Sequence, residues 1–162
     1  MNELFLAWLA GFIDGEGHLS VAKKVKRGGE GRRINDTITY NPELHIAQTD
    51  RTALDEIVAT LGVGGVFAAP RSKYNPNARD GWQYRVSGRN AIHIVSLVRP
   101  YLRVKQAQAD ALMSFPFTGR GRVYRHSEAF LQQGQVFDQL RTLNATGNGL
   151  PRAKSGRKPK VI

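Results

Sequence analysis

Residues 4–13, LFLAWLAGFI, form an unbroken apolar run that ends abruptly in Asp14-Gly15-Glu16-Gly17. The run is about half of what a bilayer span requires, so it must be buried against protein. Glu3 stands where a secretory leader would carry positive charge, which argues against a signal peptide. Residues 3–13 are helix formers, and the Asp-Gly-Glu-Gly that follows is a strong breaker. Ala7, Ala10 and Gly11 place small side chains on neighbouring turns, which lets another helix approach very closely. Two carboxylates then fall at the helix C-terminus, where the macrodipole disfavours each by a few tenths to about 1 kcal/mol. Gly15 or Gly17 could end the helix unaided, so capping does not explain the acids. A carboxylate set against its local field suggests a cation, and hard oxygen donors suggest Mg²⁺.

With 162 residues, 41% of them hydrophobic, the chain is expected to form one domain with a real core. Its net charge of +11 calls for a polyanionic partner, nucleic acid or an anionic membrane surface. The absence of cysteine excludes a disulfide framework and thiolate metal sites, and fits a reducing cell interior with access to DNA. The four histidines (18, 45, 93 and 126) lack close metal-ligand spacing, which argues against a zinc nuclease.

After the breaker, residues 18–25 alternate in part, with Leu19, Val21 and Val25 apolar, and read as a half-exposed strand. A glycine- and arginine-rich turn follows at 27–33, then a second strand at 34–48 with Leu44 and Ile46 on one side and His45 on the other. Asp50 can cap a helix that Gly62 ends. Residues 66–69 and 82–87 read as a second hairpin, 90–98 as a helix, and 102–114 as a further helix beyond the bend at Pro100. Ser127 is placed to cap a last helix reaching about residue 143, and 147–162 reads as a basic tail. The expected fold is α+β, with the apolar strand faces on the helices and a polar, basic face left open. Charge is uneven: residues 18–35 hold six Lys/Arg against one acid, 82–125 hold eight against one, and six bases but no acid follow Asp138. Long basic side chains on a sheet can enter a DNA groove.

Residues 9–17, LAGFIDGEG, resemble the LAGLIDADG motif: Leu9, Ala10, Gly11, Ile13, Asp14 and Gly17 match it, while Phe12, Gly15 and Glu16 stand for its Leu, Ala and final Asp. The element order resembles the αββαββα core of that homing endonuclease family over about residues 3–115, within a domain of 1–146, with a curved antiparallel sheet as the DNA-binding saddle. The resemblance implies that the last acid of the motif, Glu16, binds the catalytic metal, with Gly15 contributing its carbonyl, and that Asp14 is mainly structural. Residues 44–49 and 99–106 resemble the family's segments bearing an active-site polar residue and lysine, pointing to Gln48 and Lys105. The correspondence of Arg51 is weaker, because spacing after Gln48 differs. Expected DNA contacts are Ser20, Lys24, Lys26, Arg32, Arg33, His45, Arg71, Lys73, Gln83 and Arg85. Ala7, Ala10 and Gly11 are expected at the dimer interface. What the resemblance implies is a Mg²⁺-dependent (Mn²⁺ substituting) double-strand DNA endonuclease of the intron-homing kind. It would act as a symmetric homodimer on a long, nearly palindromic site, with no membrane involvement. The competing expectation keeps the fold without the chemistry, as an RNA maturase or a DNA-binding regulator.

Overall fold

The structure, a computed structural model, describes residues 2–26, 37–69, 80–117 and 127–146. Arg32, Arg33, Arg71, Lys73, the side chain of Lys26 and the tail at 147–162 lie outside the described residues. Helix α1 (Glu3–Glu16) opens on Asn2, whose side chain accepts the Leu4 N–H at 3.0 Å. The helix does not stop at Ile13 as the sequence suggests; it continues through Asp14 and Gly15 to Glu16. Gly17 explains this. Its N–H bonds the Ile13 carbonyl, and a Cβ at 17 would stand 2.6 Å from that same oxygen, so glycine alone lets helix pass directly into strand.

Strands β1 (Gly17–Lys26) and β2 (Thr37–Gln48) pair antiparallel, from Gly17 opposite Ile46 to Lys26 opposite Thr37. The Asp50 carboxylate accepts the Thr52 N–H at 2.8 Å before α2 (Thr52–Leu61), and left-handed Gly62 ends that helix. The bond from Thr52 holds the Asp50 carboxyl below its usual range. Then follow β3 (Gly65–Ala69), β4 (Gly81–Ser87), α3 (Arg89–Val98), a 3₁₀ turn (Arg99–Tyr101), α4 (Gln106–Met113) and α5 (Glu128–Thr146). A continuous helix over 102–114 was the expectation. Instead Leu102 is extended, 103–105 bend, and α4 starts only at Gln106. At the other end, the Ser127 hydroxyl accepts the Phe130 N–H at 3.2 Å, as expected of a cap.

The four strands form one antiparallel sheet in the order β1-β2-β4-β3. Leu19, Val21, Leu44, Ile46, Tyr84 and Val86 are buried on its helix-covered face, joined by Leu9 and Ile13 from α1 and Ile94, Val95 and Val98 from α3. Each fully buried Leu or Ile contributes about 1.5–3 kcal/mol. A one-residue slip of β2 would turn Leu44 and Ile46 outward together, and that penalty fixes the register. Helix α5 lies against β1: Asn144 donates to the Leu19 carbonyl at 2.9 Å, and Tyr40 packs on Phe130 and Phe137 at 5.5 and 5.7 Å. On the opposite face no described strand residue is buried.

Candidate active site and open sheet face

The two acids at the end of α1 have different surroundings. Asp14 reaches across to the bend before α4. There Oδ2 accepts the N–H of Arg103 at 2.7 Å and of Val104 at 3.1 Å, and Oδ1 accepts that of Lys105 at 2.9 Å. These bonds fix the bend and account for the interruption of the helix expected over 102–114. They also answer the electrostatic objection to Asp14, because three N–H dipoles offset the α1 macrodipole. Among the described residues Glu16 makes no hydrogen bond or ion pair, and it is exposed. No structural task accounts for its charge.

Lys105 joins the two. Its ammonium donates to the Ile13 carbonyl at 2.9 Å, which also accepts the Gly17 N–H, and to the Asp14 carbonyl in the last turn of α1. Burial pushes the Lys105 ammonium below the ordinary lysine value, while the charges of Asp14 and Glu16 pull the other way. Gln48 ends β2 at the same end of the sheet, two residues beyond the Ile46 that faces Gly17, and its Oε1 accepts the Thr49 N–H at 3.2 Å. Among the described residues no hydrogen bond joins Gln48 to Glu16 or Lys105. Arg51 lies with its guanidinium 4.7 Å from the Trp82 ring centroid and pairs with Asp55 at 2.9 Å. No cluster of three or more metal-ligating side chains occurs among the described residues. One chain thus offers one carboxylate and the neighbouring Gly15 carbonyl. That set suits Mg²⁺, which commonly takes one or two carboxylates with substrate phosphates and water.

The outer face of α1 is apolar and bare. Leu4 is 77% exposed and Trp8 40%, with exposed Ala7 and Gly11 between and beyond them. Ala10 departs from its expected place at an interface. It is fully buried within the subunit, about 100° round the helix from Gly11, and packs with Leu9 and Ile13. A Cβ at Gly11 or Gly15 would meet nothing within 4 Å, so the subunit itself does not require either glycine. A helical glycine costs roughly 0.5–1 kcal/mol relative to alanine, an outlay this chain's own packing leaves unexplained.

The strand pairing sorts the open face into rows. Ala47, Gln83 and Phe67 share one row; His18, His45 and Arg85 the next; then Ser20, Glu43 and Ser87; beyond them lie Ala22 with Asn41 and Lys24 with Thr39. Of the expected contacts, Ser20, Lys24, His45, Gln83 and Arg85 stand on this face, and Lys26 shares its parity. A groove of about 620 Å³ is lined by Lys24, Glu43, His45, Phe67 and Arg85 among others. Arg85 Nε donates to Gln83 Oε1 at 2.7 Å. His45 Nε2 lies 3.2 Å from Glu43 Oε2, and burial holds the imidazole below its usual value, with Glu43 opposing and Arg85 and His18 reinforcing the shift. Sequence reading missed His18, Asn41, Glu43 and Phe67. Carrying the alternation of β2 back from His45 would have found Glu43 and Asn41.

An open antiparallel sheet backed by helices, with a glycine-marked helix ending at the sheet's edge, defines an α+β fold of known type. One protein with a similar fold is homing endonuclease I-CvuI. A complex of that protein with its target in the presence of 2 mM Ca shares 20% identity with this chain at a TM-score of 0.59, covering 98% of this chain and 87% of the other. A second I-CvuI complex, with the I-CreI target and 2 mM Mg, its DNA not cleaved, gives 19% identity and a TM-score of 0.57 over 95% and 86%. The expected homing-endonuclease fold is therefore the one observed. No family model matches the sequence, and no curated protein does. No helix among the described residues is long and apolar enough to cross a membrane.

Proposed function

We propose that the chain is a homing endonuclease of the LAGLIDADG type, cutting both strands of a specific DNA site as a Mg²⁺-dependent homodimer. The observation that carries this is Glu16: an exposed carboxylate at a helix C-terminus, with Lys105 nearby and no structural duty. The fold shared with I-CvuI, whose complexes contain target DNA and Ca or Mg, supports the DNA substrate. The bare outer face of α1 supports the dimer. Packing Ala7, Gly11 and Gly15 against the same helix of a second copy covers Leu4 and Trp8 and gives the unexplained glycines a purpose. It also brings two Glu16 carboxylates close to the two-fold axis, one for each strand, so a nearly palindromic target follows.

Glu16 and the Gly15 carbonyl would hold Mg²⁺ against the scissile phosphate. When bound, the metal supplies Lewis acidity at the phosphate and lowers the pKa of water. Lys105, anchored on the α1 carbonyls, adds positive charge where negative charge develops. Gln48, at the adjoining strand end, would orient water. Lys24, Arg85 and their row neighbours on the open face, together with Lys26, Arg32, Arg33, Arg71 and Lys73, would engage the flanking duplex. Mn²⁺ is expected to replace Mg²⁺, since both accept oxygen donors in octahedral geometry.

Selection of cleaved molecules from a randomised DNA library in Mg²⁺ tests the proposal. Wild type should enrich a long, nearly symmetric site, and Glu16→Gln should enrich none while still binding the wild-type site in Ca²⁺. Binding without cutting in either Mg²⁺ or Mn²⁺ would favour the maturase or regulator reading.

A further inference from the structure

The four strands carry one acid among their described residues, Glu43, and the register places it at the middle of the open face between Ser20 and Ser87. An anion there repels phosphate, so it weakens DNA binding unless it makes a compensating contact. Among the described residues no cation supplies such a contact. Arg85, on the adjacent strand, donates instead to Gln83, and no Lys or Arg ion pair reaches Glu43 among the described residues. Its one partner among the described residues is His45, whose Nε2 lies 3.2 Å from Oε2. That contact leaves Oε1 without a partner among the described residues, on the wall of the 620 Å³ groove. Only 18% of the Glu43 side chain is exposed, against 23% for His45, so the pair is held in place by its surroundings.

A fixed, partly desolvated acceptor on a DNA-facing surface asks for a hydrogen-bond donor from the duplex. In the major groove only the exocyclic amino groups donate: N4 of cytosine and N6 of adenine. Adenine presents the N7 lone pair beside its amino group, which a carboxylate repels, whereas cytosine presents a C–H. We propose that Glu43 selects cytosine at one base pair of each half-site, accepting the N4 amino hydrogen on Oε1 while His45 fixes the carboxylate through Oε2. This rests on the DNA-binding reading above and adds a base to it. His45 is here a positioning residue, not a base contact.

Binding selection in Ca²⁺ from a randomised library, run on wild type, Glu43→Gln, Glu43→Ala and His45→Ala, tests the assignment, with a thermal melt of each protein. Wild type should enrich cytosine by about fivefold or more over other bases at one position in each half-site. Glu43→Gln, able to donate as well as accept, should move that position toward adenine. Glu43→Ala should flatten it and leave the other positions unchanged, and His45→Ala should blunt the preference without changing the base. A duplex carrying 2-pyrimidinone, which lacks the amino group, in place of that cytosine should bind wild type about fivefold more weakly and Glu43→Ala no differently from cytosine. Should Glu43→Ala fold poorly, Glu43→Val, which also lacks an acceptor and suits a strand, takes its place in this arm. Unchanged profiles in both Glu43 variants would overturn the proposal. Adenine enriched by wild type at the position that Glu43→Ala flattens would overturn the cytosine assignment and point to N6. If wild type selects no DNA at all, the endonuclease reading falls and this inference with it, an outcome distinct from a selected site indifferent to Glu43.

Discussion

At the end of α1, three backbone N–H groups converge on Asp14 and the Lys105 ammonium closes on two backbone carbonyls. On the open face of the sheet, side chains instead meet a few neighbours: Arg85 holds Gln83, His45 holds Glu43, and Lys24 makes no bond to another described residue. The first region is held by bonds to main chain, so its side chains are dictated and few substitutions keep its geometry. The second is a lattice of outward positions on a fixed register, where a side chain changes without moving the backbone. Under the proposed function, the first region would hold one chemistry constant while the second, as the recognition surface, varies.

The largest effect should separate the two regions by what they do. Under the proposed function, Glu16→Gln should lower DNA cleavage by about two orders of magnitude or more, because it removes the charge that would hold the metal against the phosphate. DNA affinity should stay level or rise slightly, since an anion beside the phosphates is gone. A nicking time course in Mg²⁺ beside a binding titration in Ca²⁺ reads both. Full cutting by this variant would place the chemistry elsewhere. Lys105→Met should slow cleavage less, and should also loosen the α1 terminus that it caps.

Next in size is the contrast between the two acids. Asp14→Ala strands three N–H groups and should cost about 3 kcal/mol of unfolding free energy, whereas Glu16→Gln should stay within about 0.5. Denaturant titration of both decides it, and equal losses would erase the distinction drawn between a structural and a chemical carboxylate. Glycines give a matching pair. Gly17→Ala drives a Cβ into the Ile13 carbonyl and should destabilise the fold by about 2 kcal/mol. Gly11→Leu meets open space within the subunit, so it should leave the fold intact and shift sedimentation toward monomer.

Why the motif was legible and the face only in part follows from the same contrast. LAGFIDGEG can be read in sequence because Gly17, Asp14 and the apolar turns before them are each forced by a close backbone approach or a backbone bond. The two hairpins, the Gly62 stop and the Ser127 cap were legible for similar local reasons. The helix expected over 102–114 was not. Its residues favour helix, and the bonds that break it come from Asp14, some ninety positions away in sequence. Ala10 illustrates a finer limit: three small residues on an apolar helix mark a close approach, but which of them face inward depends on what the helix packs against. Glu43 escaped notice because its meaning lies in its neighbours across the sheet, not in its own strand.

On the open face, smaller and graded effects are expected. Lys24→Ala and Arg85→Ala should each weaken DNA binding without changing cleavage chemistry. Each should reduce the slope of log affinity against log salt by about 0.9 for every phosphate the side chain neutralises in wild type. Salt-independent affinity in wild type would remove the electrostatic account of this surface, and an unchanged slope in both variants would move it to other bases. Arg85→Ala should do more than Lys24→Ala to base choice, because its guanidinium stands beside His45 and Gln83 in the middle rows.

The smallest effect concerns acid, and it follows from His45. Burial lowers its pKa in the folded chain from 6.5, Arg85 and His18 push the same way, and Glu43 opposes them. With the folded value depressed, the unfolded chain binds the proton more readily. The stabilisation from a neutral His45 is thus fully present above the unfolded value, and it is lost as pH falls through the folded one. Between about pH 7 and pH 5, wild type should therefore lose stability more steeply than His45→Asn, which cannot take up the proton. Melting temperatures of the two proteins across that range measure the difference, and the carboxylates they share cancel in the comparison. Parallel curves would mean that Glu43 fully offsets the burial of its partner. In that case His45 would keep an ordinary imidazole value, stay mostly neutral at pH 7, and add positive charge to the open face only as the pH falls below about 6.5.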